Sequence, residues 1–184
     1  MNVFWRTLLV ILRARLRARA GLRPLTEVHR IRVRVLPTDI DVLRHLNNGR
    51  YLSLFDLGRW DMLERTGLTR IFRGRRWYAV VSNETITFRR SLKLWQRFDL
   101  ETRWIGHDDR ALYMEHRAVV DGEIHARAIV RARILGPEGP VSHDDLFQAV
   151  DVPQGLPDVD DWLHAWAEAS ALPSARRSAP SVWD

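Results

Sequence analysis

The segment from Pro37 to Tyr51 concentrates the side chains of this chain that can do chemistry. Its sequence is PTDIDVLRHLNNGRY, which contains two aspartates, a histidine, two asparagines and a glycine. Polar groups at this density are unfavourable to order unless they cap a turn, bind a ligand or take part in a reaction. A carboxylate can attack a carbonyl carbon or deprotonate a water, and free amides at a helix start can stabilise an oxyanion. We therefore expect function to reside in this segment.

Regular hydrophobic patterns on both sides predict the elements that position this segment. Residues 29–36 alternate apolar and basic side chains, as a half-buried strand does. Asn47, Asn48 and Gly49 are typical of a helix start, and apolar side chains then recur at helical spacing until Gly67, a natural stop. The polar segment is thus predicted to join a strand to a helix.

After Gly74 the hydrophobic period becomes that of strands. Long strands are predicted over residues 77–90, 97–106, 111–120 and 123–135, with Asp121-Gly122 as a hairpin signal between the last two. One early strand, one helix and a meander of strands describe an α+β fold. Its helix must lie on one face of a mainly antiparallel sheet.

The two ends of the chain differ in composition from this central domain, which we place at residues 25–150. Residues 151–184 form an acidic, proline-rich tail in which a short helix is predicted over 158–171. Residues 1–24 carry an apolar tip, six arginines and no acidic side chain. The net charge of +6 therefore belongs to this N-terminal segment, and the formally neutral remainder argues against nucleic acid as a partner.

The N-terminal segment is compatible with two roles, one of which is an anchor on a membrane surface. Its apolar run is too short to span a bilayer, which takes about 20 residues, but an apolar tip followed by a cationic helix suits an anchor on anionic headgroups. The alternative is a solvated helix that packs Phe4 and Trp5 on its own fold. We expect a cytoplasmic location, peripheral at the membrane if the segment is an anchor. The chain has no cysteine, which excludes a disulfide framework, a thiolate nucleophile and cysteine-ligated zinc.

The polar segment resembles the signature of the hotdog-fold acyl-CoA thioesterases, more specifically those of the 4-hydroxybenzoyl-CoA thioesterase type. That group carries Asp-x-Asp, a short spacer, His-hydrophobic-Asn-Asn, a small residue and then Tyr. The matching residues here are Asp39-Ile-Asp41, the run from His45 to Gly49, and Tyr51. Arg44 stands where the family usually has glycine, a variant similar to the subgroup called thioesterase superfamily member six. With the predicted element order, the resemblance extends over residues 27–137.

The resemblance implies a long central helix wrapped by an antiparallel sheet, an acyl-CoA thioesterase activity, and a homodimer, or a tetramer of it, with equivalent sites. It makes Asp41 the carboxylate that attacks the thioester or activates a water, two roles that the sequence leaves open. It makes Asn48 the residue whose backbone N–H meets the oxyanion. The substrate would be an acyl-CoA or an acyl-carrier-protein thioester. No metal is implied, and no cofactor beyond the CoA of the substrate.

The resemblance also places His45, Asn47, Gly49 and Tyr51 around the substrate. Their residue types allow simpler roles as well. A histidine at a helix entry often forms a structural hydrogen bond, an asparagine can serve only as an N-cap, and a tyrosine can pack. We expect Asp39 to be structural, because aspartate is common as a turn cap.

Cations are expected near the mouth of a site that binds CoA, because CoA carries phosphates. Arg89 and Arg90, with Lys93 beside them, lie where two predicted strands meet and are the candidates for this contact. An ordinary solvated turn is the alternative. A related thioesterase lineage carries its catalytic carboxylate on the helix itself. The second-choice carboxylates are therefore Asp56, Asp61 and Glu64.

Two other functions stay open at this point. A non-catalytic hotdog protein that binds acyl groups or scaffolds a membrane complex is the main alternative, because Arg44 departs from the family pattern. A hotdog dehydratase or hydratase is a weaker one, because those enzymes pair a carboxylate with a histidine in a differently spaced motif.

Overall fold

The computed structural model describes residues 3–152, 154–174 and 177–181, so the first two residues of the N-terminal segment and parts of the predicted tail lie outside the described residues. Within these ranges the helices are α1 (Val3–Ala18), α2 (Asn48–Arg65), α3 (Leu68–Arg75), α4 (His143–Ala149) and α5 (Asp161–Ala169). The strands are β1 (His29–Arg34), β2 (Tyr78–Phe88), β3 (Arg97–His107), β4 (Leu112–Val120), β5 (Glu123–Gly136) and β6 (Gly139–Pro140), and a 3-10 turn spans Pro37–Asp39.

The strands form one antiparallel sheet in the order β1-β3-β4-β5-β2, with β6 paired to the end of β5. The early strand β1 lies at one edge and the long strand β2 at the other. Asp121 and Gly122 join β4 to β5 with φ angles of 50° and 80°, as a two-residue hairpin loop requires. The α+β class and the meander predicted from the sequence are confirmed.

Helix α2 lies along one face of the sheet and forms the core with it. Phe55 and Leu57 of the helix are buried in one cluster with Leu100 of β3, and each such side chain stabilises the fold by about 1.5–3 kcal/mol. Gly58 allows the close approach, because a Cβ there would lie 2.3 Å from Oγ1 of Thr102. The helix is therefore held firmly against the sheet, which fixes the position of its N-terminal end.

Helix α1 packs along α2. Val10 and Ala14 face the body of the domain, and Ala14 is fully buried. The opposite side of the helix is apolar and open: Phe4 is 69% exposed and Trp5 is 56% exposed. The solvated-helix alternative expected these two side chains to pack on the fold. Their exposure shows that they do not. Among the described residues no helix is both long and apolar enough to cross a membrane.

The remaining helices follow from local signals of different strength. The predicted helix over residues 158–171 appears as α5, which packs Leu163 and Ala167 against Tyr113 and Ile129 of the sheet. Helices α3 and α4 were not predicted. Gly67, expected as a stop, has φ 80°. Only Thr66 and this left-handed glycine separate α2 from α3, so the chain turns and soon resumes a helix.

Candidate active site

Asp39, the first acid of the polar segment, is buried and fully bonded. Its side chain is 1% exposed, and its Oδ2 accepts hydrogen bonds from Nη1 of Arg6 at 2.7 Å and from the N–H of Leu36 at 3.0 Å. Arg50 of α2 donates to Oδ1 at 3.3 Å, and the carbonyl oxygen of Asp39 accepts from the N–H of Asn47 at 2.9 Å. Two arginines thus compensate a carboxylate that is unfavourable to bury alone. The partner in α1 lies 33 residues away along the chain, and no sequence signal points to it.

Asp41 is only partly buried. Its Oδ1 accepts from the N–H groups of Leu43 at 2.9 Å and His45 at 3.3 Å. Its Oδ2 forms no hydrogen bond or ion pair with the described residues. Arg44 has φ 61°, the left-handed conformation to which the family's usual glycine is suited. One oxygen of this carboxylate is therefore fixed by the main chain, and the other is open to a substrate or a water.

Helix α2 begins directly after this turn. Asn47 is the N-cap, and its Oδ1 accepts from the N–H of Gly49 at 2.9 Å. A Cβ on Gly49 would lie only 3.3 Å from that oxygen, so glycine leaves room for the cap. Asn48 is the first helical residue, and its own N–H has no partner in the described part of the chain. Free amides and the positive end of the helix dipole favour a negative charge at this point.

The loop between β2 and β3, residues 89–96, lies against the polar segment. The N–H of Leu46 donates to the carbonyl oxygen of Leu92 at 2.8 Å, and His45 forms an isolated antiparallel bridge with Lys93. The ring of His45 makes no hydrogen bond with any described residue, so the structural bond considered for it is absent there. The predicted phosphate contacts and the polar segment are thus neighbours.

Tyr51 anchors the first turn of α2 in this neighbourhood. Its ring is buried and meets the ring of Phe88 edge-on, with centroids 5.1 Å apart. Burial raises the pKa of the Tyr51 hydroxyl, and a hydrogen bond with the backbone of Leu92 opposes that shift. The side chain therefore contributes packing and one polar contact as a neutral group.

The three predicted cations differ in how free they are. Arg89 donates to Oε2 of Glu123 at 2.6 Å and to the carbonyl oxygen of Ile124 at 3.2 Å, which ties it to the β4–β5 hairpin. Arg90 and Lys93 are exposed, and their charged groups form no ion pair with the described residues. These two are the cations available to a ligand.

Two of the second-choice carboxylates belong to the other end of α2. Glu64 pairs with Arg15 of α1 at 2.9 Å, and Asp61 pairs with Arg65 at 3.3 Å. Burial raises the pKa of Asp61, and Arg65 opposes the shift. At 1.5 Å per residue, Asp61 lies roughly 20 Å along the helix from its start. Both acids therefore take part in packing α1 and α2 and are far from the polar segment.

Asp56 is placed differently from these two. It pairs with Arg59 at 2.8 Å, and Arg59 also approaches Glu84 of β2 at 3.6 Å. Burial raises the pKa values of Asp56 and Glu84, and Arg59 opposes both shifts. Asp56 is thus the second-choice carboxylate that lies toward the β2 edge of the sheet.

Two cavities formed by the described residues lie away from the polar segment. A cavity of about 850 Å³ lies between β2, β5 and the region of α5, and another of about 360 Å³ lies between α1 and β1; neither is lined by Asp41 or Asn48. Within residues 3–152, 154–174 and 177–181, no group of three or more His, Asp or Glu side chains is arranged to hold a metal ion. The candidate site is a surface loop in one chain.

Comparison with known proteins places this loop in a family. The family model described as thioesterase-like superfamily matches residues 35–166, from just after β1 to within α5. The chain belongs to the thioesterase-like superfamily. Protein THEM6 of Xenopus laevis is 34% identical over 167 residues, which cover 87% of this chain and 78% of that relative. The thioesterase resemblance, including its nearest subgroup, is confirmed.

Solved structures of this superfamily's fold match the chain as well. YbaW, a probable thioesterase from Escherichia coli, matches with a TM-score of 0.63 at 19% identity. The match covers 67% of this chain and 97% of the YbaW chain. The Staphylococcus aureus protein SAV2348, solved in complex with CoA, has a TM-score of 0.56 at 13% identity and covers 76% of this chain and 92% of its own. The predicted hotdog fold is confirmed, and membership of the superfamily supports a thioester hydrolase.

Proposed function

We propose that this protein hydrolyses acyl-CoA thioesters with Asp41 as the catalytic carboxylate and the backbone N–H of Asn48 as oxyanion donor. The observation that carries the proposal is a pair of groups without a partner among the described residues: Oδ2 of Asp41 in the loop and the backbone N–H of Asn48 at the start of α2. Superfamily membership supports the reaction class.

The chemistry requires water to add to the thioester carbonyl and the thiolate of CoA to leave. Asp41 either attacks the carbonyl itself, giving an anhydride that water then opens, or takes a proton from the attacking water. In both routes negative charge develops on the carbonyl oxygen, where the amide of Asn48 and the helix dipole stabilise it. The products are a carboxylate and free CoA.

The phosphates of CoA are placed in this proposal against Arg90 and Lys93. Both are exposed without an ion-pair partner among the described residues, and the bridge from Lys93 to His45 keeps the pair beside the loop. A comparison protein solved with CoA supports this class of ligand. Arg89 contributes less, since Glu123 already holds it.

A second copy of the chain is part of the proposal. Every residue of β2 is at least partly exposed, and its apolar side chains include Tyr78 at 54% and Val80 at 41%. A bare apolar edge strand favours pairing with another strand. We expect a homodimer through β2, with two equivalent sites. Sedimentation should show dissociation for Val80→Lys and a retained dimer for Val28→Lys, an exposed valine before the other edge strand.

Attachment to an anionic membrane surface is also proposed, through one side of α1. A stripe of large apolar side chains is between 48% and 69% exposed there: Phe4, Trp5, Leu8, Leu9, Leu12 and Leu16. Arg13 lies beside this stripe and Arg19 follows it, as suits contact with anionic headgroups. A surface-bound enzyme would favour long acyl chains, because enzyme and substrate then share the interface.

Vesicle sedimentation tests the attachment. Wild-type protein should bind vesicles that contain anionic phospholipid more than neutral ones, and Leu12→Glu should lose that binding. Leu172→Glu is the matched control, because Leu172 is exposed but lies after α5. Equal binding by the two variants would show that α1 is not the contact.

The oxyanion assignment can be tested with unusual precision, since only the N–H of Asn48 is required. Proline is well tolerated as the first residue of a helix, and Asn47 has φ −58° and ψ 133°, which a following proline accepts. Asn48→Pro should therefore fold normally and lose about 100- to 1,000-fold in turnover. Asn48→Ala keeps the amide and should retain activity.

The measurement is release of free thiol from a panel of short, aromatic and long-chain acyl-CoAs. Equal turnover by Asn48→Pro and Asn48→Ala would remove the amide from the mechanism. Tight binding of acyl-CoA by a wild type that hydrolyses none of the panel would favour the non-catalytic acyl-binding alternative. Higher turnover on short or aromatic chains than on long ones would contradict the preference expected at a membrane.

A further inference from the structure

Among the described residues, two ion pairs join α1 to the rest of the domain, and one of these two reaches the candidate active site. Arg6 contacts Asp39 in the polar segment at 2.7 Å, while Arg15 contacts Glu64 near the end of α2 at 2.9 Å. In both pairs the carboxylate is almost completely buried, at 1% and 8% exposure. Both contacts are therefore ion pairs between an arginine of α1 and a buried carboxylate. They differ in the segment to which the carboxylate belongs.

The Arg6 contact continues through Asp39 to the start of α2. The guanidinium of Arg6 also donates to the carbonyl oxygen of Arg34 at 2.9 Å, so it clamps the end of β1 and the carboxylate together. The carbonyl oxygen of Asp39 then accepts from the N–H of Asn47 at 2.9 Å, and Asn47 is the residue that caps α2. The free amide of Asn48 follows immediately.

We propose that Arg6 is a positioning residue for the candidate active site, which it orders through Asp39 and the N-cap without touching the substrate. The consequence for catalysis rests on the proposed function, whereas the ordering of the loop does not. Glu64 has no such connection, because Arg15 and Glu64 lie at the far end of α2. Helix α1 lies outside the central domain that was expected from the sequence, residues 25–150. It thereby supplies a residue that positions the candidate active site.

The test compares Arg6→Gln with the matched variant Arg15→Gln in the full-length protein. Amide hydrogen exchange, measured by NMR, reports on Leu36 and Asn47, whose N–H groups bond to Asp39. We expect exchange at these two amides to be at least tenfold faster in Arg6→Gln than in Arg15→Gln. Equal exchange in the two variants overturns the proposal.

Thioester hydrolysis gives the second readout. We expect kcat to fall about tenfold in Arg6→Gln, with KM little changed, and to stay at the wild-type level in Arg15→Gln, because only the first loses the alignment of the amide. Equal kcat values in the two variants of an active enzyme also overturn the proposal. A wild type without activity contradicts the proposed function instead, and hydrogen exchange then decides on Arg6.

Removal of a counter-ion from a carboxylate as buried as Asp39 can prevent folding, so Arg6→Lys provides a second variant. Lysine keeps the charge but lacks the planar fork that reaches Asp39 and Arg34 together. We expect intermediate exchange rates at Leu36 and Asn47, between those of wild type and Arg6→Gln. Wild-type rates in a folded Arg6→Lys protein, if Arg6→Gln does not fold, would count against the positioning role.

Discussion

The loop before α2 and the turn between β3 and β4 each contain an aspartate whose Oδ1 accepts two backbone N–H groups that follow it in the chain. Oδ1 of Asp41 accepts the N–H groups of Leu43 and His45, and Oδ1 of Asp108 accepts those of Arg110 and Ala111 at 2.8 Å each. Both residues therefore cap a turn, as aspartate commonly does. The second oxygen distinguishes the two regions.

Oδ2 of Asp108 is enclosed by other side chains. Tyr113 donates to it at 2.7 Å and Arg131 at 2.8 Å. Burial alone would raise the pKa of Asp108, but the bonds from Arg131 and Tyr113 lower it to about 2. Burial and Asp108 together raise the pKa of Tyr113 to about 12. Oδ2 of Asp41 has no such partners in the described part of the chain. A turn cap becomes a candidate for catalysis when its second oxygen is left open.

The largest difference between the two aspartates is expected in thioester hydrolysis, when each is replaced by asparagine. Asp41→Asn keeps an Oδ1 that can accept both amides, but it loses the basic oxygen. We expect thioester hydrolysis to fall about 100- to 1,000-fold, with the thermal midpoint within about 4 °C of wild type. Steady-state thiol release and thermal denaturation measure the two quantities. Full activity in Asp41→Asn would make Asp41 a turn cap like Asp108.

The reverse is expected for Asp108. Asp108→Asn leaves the guanidinium of Arg131 without its carboxylate, and the side chain of Arg131 is only 14% exposed. We expect the free energy of unfolding to fall by about 2–4 kcal/mol, and hydrolysis per folded molecule to remain at the wild-type level. Urea denaturation and active-site-normalised rates check this. The matched control is Asp109→Asn, at an exposed neighbour, which should change stability by less than about 0.5 kcal/mol.

Acid should act on stability through Asp108. Its pKa in the folded protein is about 2, below the unfolded value near 4, so the folded state holds this proton less tightly. The resulting stability, about 2 kcal/mol, is fully present above about pH 4 and is lost as the pH falls toward 2. Asp108→Asn should remove this part of the acid dependence. Unfolding curves at pH 5 and pH 3 that keep the same difference between variant and wild type would contradict the assignment.

The smallest effect is expected from Asp56, the third carboxylate, which lies on α2. Asp56 already forms an ion pair with Arg59, and burial raises the pKa of Asp56. Asp56→Asn should change turnover by less than about threefold, the range of a substitution outside the chemistry. A loss as large as that of Asp41→Asn would move the catalytic carboxylate from the loop to α2.

Much of this arrangement follows from local sequence signals. Three local patterns each predict the backbone conformation of their own segment: the alternation of residues 29–36, the asparagines at the start of α2 and the Asp121-Gly122 turn. The structure has a strand, a helix start and a hairpin at these places. The sequence pattern does not predict helix α3. Gly67 indicates the end of one helix, but it also serves as the N-cap of the next.

The partners of the acids could not be predicted in the same way. Asp39 bonds to Arg6 and Asp108 to Arg131 across distances of 33 and 23 residues, and such pairs depend on how helices and strands pack. Asp39 and Asp41 are two positions apart and alike in type. Their residue types alone do not show which is buried; Arg6 of α1 and Arg50 of α2 both bond to Asp39, whereas the family resemblance is what singles out Asp41.

The exposed stripe of α1 has a geometric consequence. A helix with its side chains is about 10 Å thick, and Arg6 on one side of α1 touches Asp39 directly. If the stripe rests on a bilayer, the loop that contains Asp41 is held at a height of about one helix diameter above the headgroups, in a fixed orientation. An acyl-CoA that rises by about that height from the headgroups could present its thioester to the loop while the end of a long acyl chain stays in the bilayer.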